Sequence, residues 1–327
     1  MRYLVTGGAG FIGSHLVDCL VDRGDEVMVL DDLSTGSREN LEHQPPEAPI
    51  EFVEGSTTDS DLVGELMREA DRCFHLASAV GVKLVVEQPL ASLLRNARGC
   101  DVVTAAAART GTRLLFTSTS EIYGKDSTGA LAEDSDRRLG PPTTSRWLYA
   151  NTKVYGEMLA YAYHREMGAE NVVVRLFNTV GPRQSGAYGM VLPTFAAQAL
   201  IGDPLTVYGD GMQSRCFAHV YDSLDAILRL MDADAATGNV YNVGSSLELT
   251  ILDLATRVIE RASSSSQVKL VRFEDAYDDG FEELGRRRPD TRALQMLTGW
   301  SPKRSIERTI DDVLAHQRRR VGMPASA

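Results

Sequence analysis

Residues 3–13 read Tyr-Leu-Val-Thr-Gly-Gly-Ala-Gly-Phe-Ile-Gly. A short apolar strand, Tyr3-Leu4-Val5, runs into Gly7, Gly10 and Gly13, and helical spacing begins at residue 12. Glycines in a strand-to-helix junction allow a tight turn. They also let the backbone approach a pyrophosphate, which sits where the free N–H groups of a helix N-terminus point. Phe11 and Ile12, inside the same turn, are expected against the same ligand. The next apolar strand, 26–30, is followed at once by Asp31. An acid there accepts hydrogen bonds from adenosine ribose hydroxyls and repels a 2′-phosphate, so NAD is favoured over NADP. Asp32 reads as the cap of the following turn.

The alternation continues. Strands are expected at 50–53, 71–76, 114–117 and 172–176, and helices at 12–23, 89–109 and 149–166. Regular β/α alternation implies a parallel sheet covered on both faces, a Rossmann-type doubly wound α/β fold. Leu76, where the fourth strand ends, is expected beside the cofactor. Beyond 178 the pattern loosens into Gly- and Pro-containing loops, with helical stretches near 190–202, 222–233 and 250–262. The reading divides the chain into 1–178, a cofactor domain that carries the catalytic residues, and 179–327, a smaller C-terminal α/β substrate lobe, with part of the chain crossing back.

The chain has 327 residues, 43% of them hydrophobic, which is ample for a large core. A net charge of −11 argues against nucleic-acid binding, though local arginines can still hold phosphates. No run of about 18 apolar residues suggests a membrane span. Met1-Arg2 leads straight into a strand with no leader, so a cytoplasmic location is expected. The four cysteines are scattered without metal or redox spacing, and no metal site is expected.

Tyr149 and Lys153 are four apart on an expected helix and so share a face. A lysine beside a phenol favours phenolate and lowers its pKa. A tyrosinate can take the proton of a sugar hydroxyl while hydride leaves for NAD. Upstream, where the fifth strand ends, stand Ser118-Thr119-Ser120-Glu121.

The order of glycine turn, hydroxyl-rich strand end and Tyr-x-x-x-Lys resembles the extended short-chain dehydrogenase/reductase family, the NAD-dependent epimerase/dehydratases of nucleotide sugars. The resemblance implies that Thr119 shares the substrate proton with Tyr149 and that Ser120 touches the sugar. It places Asn178 on the nucleotide diphosphate. It carries Tyr208 to the uracil and Arg215 and Arg288 to the diphosphate of a UDP-sugar, with Arg286 and Arg287 left as surface charges. Ser56 stands where the family has an adenine-binding Asp. The helices near 89–109 and 149–166 are implied to pair across a homodimer. His75, Trp147 and Trp300 are read as structural.

Ser118-Thr119-Ser120-Glu121-Ile122-Tyr123-Gly124 is most similar to the UDP-glucuronate decarboxylases of that family. Oxidation at C4 of UDP-glucuronate makes a β-keto acid, which loses CO2. Glu121 then positions the carboxylate or a water and helps return a proton to C5. Reduction to UDP-xylose and release of the 4-keto pentose both remain open. A UDP-hexose or UDP-uronate 4-epimerase is the alternative, supported by 79–83, 188–191 and 281–284. A 4,6-dehydratase lacks its usual Asp, since Ser120 stands there, and a non-enzymatic NAD-binding regulator has no reason to keep Thr119, Tyr149 and Lys153.

Overall fold

A computed structural model describes residues 1–79, 88–126, 129–144, 146–186, 189–275 and 285–320. Residues 80–83, 188 and 281–284, which support the epimerase alternative, lie outside the described residues.

The strands in chain order are β1 Arg2–Thr6, β2 Glu26–Asp31, β3 Ile50–Glu54, β4 Arg72–His75, β5 Arg113–Thr119, β6 Asn171–Leu176, β7 Thr179–Val180, β8 Leu205–Tyr208, β9 Ser214–Cys216, β10 Ala218–His219, β11 Val240–Val243, β12 Glu248–Thr250, β13 Val268–Val271 and β14 Arg286–Arg287. Seven form one parallel sheet in the order β11-β6-β5-β4-β1-β2-β3. The doubly wound expectation is met. Strand order reverses between β1 and β4, and ligands of such sheets bind outside the carboxyl ends of the strands at that reversal. The register aligns those ends: Thr6 pairs with Leu30 and with His75, and His75 with Phe116. One edge of the sheet therefore presents Gly7, Asp31, Leu76 and the 117–119 hydroxyls together.

The central strands are buried on both faces, which is why they read as continuous apolar runs; all seven residues of β5 are buried. Helices Phe11–Asp22, Ser60–Glu69, Pro89–Thr110 and Arg146–Met167 cover the sheet. The helix Ser60–Glu69, not expected from the spacing, starts on Asp59, whose carboxylate accepts from Asp61 N and Leu62 N. Pro89 opens the next long helix, and Gly111 ends it at φ 75°, a left-handed value that suits glycine.

A second core joins helices Val191–Ile201, Ile251–Ala262 and Ile306–Arg320 through Leu192, Phe195, Leu254, Ile310 and Leu314. Val220, Leu224, Ile227 and Leu230 of the helix Val220–Asp232 pack into the sheet core, and β11 extends the sheet beside β6. Among the described residues no helix is long and apolar enough to cross a membrane.

Candidate active site

A continuous cavity of about 1420 Å³ runs along the carboxyl edge of the sheet, from Gly7, Gly13 and Asp31 to Tyr208, Arg215 and Arg287. A single small ligand commonly occupies roughly 300–1,000 Å³. This cavity has room for two nucleotide-sized molecules.

At the glycine end, Gly7 holds φ 75°, and a Cβ on it would lie 2.7 Å from Ala77 N. A Cβ on Gly13 would lie 2.1 Å from Gly7 O. Only glycine keeps this wall open. Asp31 is buried and accepts from Ala9 N–H and Leu33 N–H, each at 2.9 Å. Burial pushes its pKa up, and the two N–H donors pull against that. Gly10, Phe11, Ile12 and Leu76 also line the cavity. Ser56 does not: its hydroxyl closes a turn with Thr58 Oγ1 at 2.9 Å, and Gly55 and Thr57 face the cavity instead. Ser118 Oγ, at the cavity wall, is buried with no hydrogen-bond partner among the described residues. Open glycine backbone, a buried carboxylate and a waiting hydroxyl suit a dinucleotide.

Midway stand Tyr149 and Lys153 on the helix Arg146–Met167. Lys153 is buried; its Nζ donates to Thr117 O at 2.8 Å and lies 5.9 Å from the Tyr149 ring centroid. Burial holds its pKa below the usual lysine range. The expectation that Lys153 lowers the pKa of Tyr149 is corrected: burial raises it, the Glu121 charge raises it further, and the hydroxyls of Ser78 and Thr119 oppose this without reversing it. His75 bonds Thr6 Oγ1 at 2.7 Å; burial and nearby Lys153 push it down to about 3, so it is a neutral, structural histidine. Trp147 and Trp300 are likewise buried in packing.

At the arginine end, Thr119 Oγ1 accepts from Glu121 N at 3.2 Å and so turns the chain after β5. Glu121 is gripped by Arg287 Nη1 and lies 3.4 Å from Arg146 Nη2. Arg287 also donates to Ser120 Oγ and to Asn178 Oδ1, both at 3.3 Å. Asn178 in turn donates to Cys216 O at 3.1 Å. Burial alone would raise the pKa of Glu121. Arg287, Arg146 and Arg215 outweigh it and hold the group below the usual carboxylate range, so Glu121 is ionised.

Thr119, Ser120, Glu121, Tyr149, Lys153, Asn178, Tyr208 and Arg215 are all brought to this cavity. Arg288 is not among its lining residues; Arg287 is, with a side chain only 7% exposed. The reading of Arg287 as a surface charge is thus corrected. Its position follows from the parallel pairing of β14 with β9, which sets Arg287 opposite Arg215. No local sequence signal carries that pairing. Arg146 was also missed, although a signal existed: it stands three residues before Tyr149 on the same helix face.

The "NAD dependent epimerase/dehydratase family" matches residues 3–244. The chain is 38% identical to a UDP-N-acetyl-alpha-D-glucosaminuronate decarboxylase of Bacillus cytotoxicus, over 96% of both proteins. It is 36% identical to UDP-glucuronic acid decarboxylase 1 of Danio rerio, over 96% of this chain and 72% of that protein. Among solved structures, a UDP-glucuronic acid 4-epimerase of Bacillus cereus, in complex with UDP-glucuronic acid and NAD, superposes with a TM-score of 0.85 at 26% identity, covering 98% of this chain and 99% of that one. With the glycine turn, the Tyr149–Lys153 pair and the paired glutamate in one cavity, the chain belongs to the NAD-dependent epimerase/dehydratase family.

Proposed function

We propose that this chain is an NAD-dependent decarboxylase of a UDP-uronic acid, with UDP-glucuronate as the substrate. The observation that carries the reading is Glu121, held ionised between Arg287 and Arg146 two residues from Thr119 and facing the same cavity as Tyr149. A plain epimerase needs no half-buried, doubly paired carboxylate there. The names of the relatives agree.

Gly7, Gly10, Phe11, Ile12, Gly13, Asp31, Leu76, Tyr149 and Lys153 would hold NAD. When bound there, NAD would supply the oxidation of C4, and its positive charge would favour the Tyr149 phenolate that the protein alone does not. Tyr149 then takes the O4 proton and Thr119 shares it. The C4 ketone lies β to the carboxylate, so the C5–C6 electron pair moves into the carbonyl as CO2 leaves. The hydroxyls of Thr119 and Tyr149 hold the enolate oxygen. Glu121, being ionised, orients a water that returns a proton to C5. Near Glu121 stand three guanidiniums, Arg146, Arg215 and Arg287. Guanidiniums there suit a dianionic diphosphate on Arg215 and a sugar carboxylate near Arg146. Tyr208 and Asn178 complete the nucleotide contacts. Residues 1–178 supply the cofactor and catalytic groups and 179–327 most of the sugar-nucleotide side, in a cytoplasmic enzyme.

The test is to incubate the protein with NAD and UDP-glucuronate and weigh the products. Loss of about 44 mass units, the mass of CO2, is expected. The pentose-to-4-keto-pentose ratio then reports the final reduction. UDP-galacturonate with no mass change would make the chain an epimerase. The Bacillus cytotoxicus relative favours a second substrate, the 2-acetamido uronate, to be run in parallel.

We also propose a homodimer. Leu90, Leu94, Tyr155, Met158 and Tyr161 are exposed apolar residues on the adjacent helices Pro89–Thr110 and Arg146–Met167. They recur at helical spacing and form one face. Met158→Glu is expected to shift the mass in light scattering from two chains to one; a wild-type monomer would sink the proposal.

A further inference from the structure

Asn242 lies on β11, in register with Arg175 of β6, and is wholly buried. Its side chain uses each of its polar groups. Oδ1 accepts from the Tyr123 hydroxyl at 2.7 Å, and Nδ2 donates to Leu131 O at 2.8 Å and Asp290 O at 3.1 Å. Its backbone N–H donates to Glu133 Oε1 at 2.8 Å.

Each of these partners leads to the active site. Tyr123 stands two residues after Glu121 and is itself fully buried; its hydroxyl accepts from Arg175 Nη1 at 2.8 Å. Arg175 is held by both oxygens of Glu157, at 3.0 and 2.8 Å. Glu157 stands one helical turn beyond Lys153. On the other side, Leu131 N donates to Arg288 O at 2.8 Å and Asp290 N donates to Leu131 O at 2.8 Å. These two bonds bracket the backbone immediately after Arg287. One amide therefore joins the segment that carries Glu121 to the segment that carries Arg287, two residues that are 166 apart in sequence.

We propose that Asn242 is a positioning residue that sets the Glu121–Arg287 pair, acting through Tyr123 on one side and Leu131 and Asp290 on the other. The proposal rests on the reading of Glu121 given above. An asparagine suits the place because it offers one acceptor and two donors in a fixed plane. Aspartate would set a carboxylate oxygen against two carbonyls, and an apolar residue would leave buried polar groups unmatched. The function needs the geometry more than the fold does. A buried charge pair loses its effect within an ångström or so of displacement, and such a shift can cost on the order of 100-fold in rate.

The groups that face Glu121 are Arg287 from β14, Arg146 and Tyr149 from the helix Arg146–Met167, and Arg215 from β9. Arg287 leads the charges that hold Glu121 ionised. Loosening it lets the pKa of Glu121 climb, so the acidic limb of activity moves to higher pH. The experiment compares Asn242→Asp and Tyr123→Phe with wild type in the full chain with NAD and UDP-glucuronate. Tyr123→Phe keeps the ring and its packing, so it serves if Asn242→Asp does not fold. Val258→Ala, in the second core, is the control for general destabilisation. The expected result is a kcat lower by roughly 10- to 100-fold, a KM within about threefold, and an acidic limb raised by about one pH unit. Val258→Ala should lower Tm without moving the limb. Carbon NMR of the glutamate carboxyls, with Glu121 assigned through Glu121→Gln, reads the same pKa without turnover. A folded variant with the wild-type limb and an unmoved Glu121 titration would overturn the proposal. A wild-type protein that leaves the uronate intact would instead overturn the functional reading, with the NMR titration still deciding the role of Asn242.

Discussion

At the glycine end of the cavity the wall is mostly backbone, Gly7, Gly10 and Gly13 with a single buried carboxylate, Asp31. At the arginine end Glu121, Arg146, Arg215 and Arg287 gather four formal charges in one place. The first wall comes from one strand–turn–helix and the end of the neighbouring strand. The second comes from the turn after β5, the catalytic helix, β9 and β14. The two therefore fail in different ways. The glycine end is sensitive to added volume, because a pyrophosphate must reach the backbone. The arginine end is sensitive to removed charge, because taking one partner from a buried pair leaves the other uncompensated.

Four substitutions test that contrast. The largest effect is expected at the junction of the two ends. Tyr149→Phe removes the acid–base hydroxyl and should lower kcat by roughly 1,000-fold or more, with NAD affinity unchanged in a fluorescence titration. Full turnover would end the assignment of Tyr149. Next, Arg287→Met leaves Glu121 to Arg146 and the charge of Arg215. A loss of roughly 100- to 1,000-fold in kcat/KM is expected, together with a lower Tm, since breaking a buried pair costs about 3–5 kcal/mol. The pH dependence follows the sign of the shift. The depressed pKa of Glu121 contributes stability that is present above the unfolded carboxylate pKa and lost as pH falls through the folded one. In Arg287→Met the stability against pH should fade at a higher pH than in wild type; coincident profiles would deny the pair its role.

Third, Gly13→Ala places a methyl 2.1 Å from Gly7 O and should weaken NAD binding by roughly 100-fold, while UDP binding, measured by calorimetry, stays within about threefold. Equal losses for both ligands would mean that the two ends are not separable. The smallest effect is expected at Ser56, whose hydroxyl serves its own turn. Ser56→Ala should alter NAD affinity by less than about twofold, as surface changes away from a site do. A tenfold loss would return Ser56 to the adenine.

The sequence by itself determined the parallel sheet, because strand burial and helix amphipathicity are periodicities within one segment. It determined the glycine turn with Asp31, and it marked Thr119, Glu121, Tyr149 and Lys153, because each lies in a contiguous motif or at a helical spacing. Only the tertiary structure decided which arginine meets Glu121. Arg287 and Arg288 are neighbours whose side depends on how a two-residue strand pairs with β9, and that partner is remote in sequence. The tertiary structure also returned residues 220–243 to the first core and turned Ser56 away from the cavity. It set the direction in which the Tyr149 pKa moves, since burial and the approach of Glu121 both raise it. Periodicity is local and survives in the order of residues. Charge pairing and desolvation depend on distances between segments, and those exist only once the chain has folded.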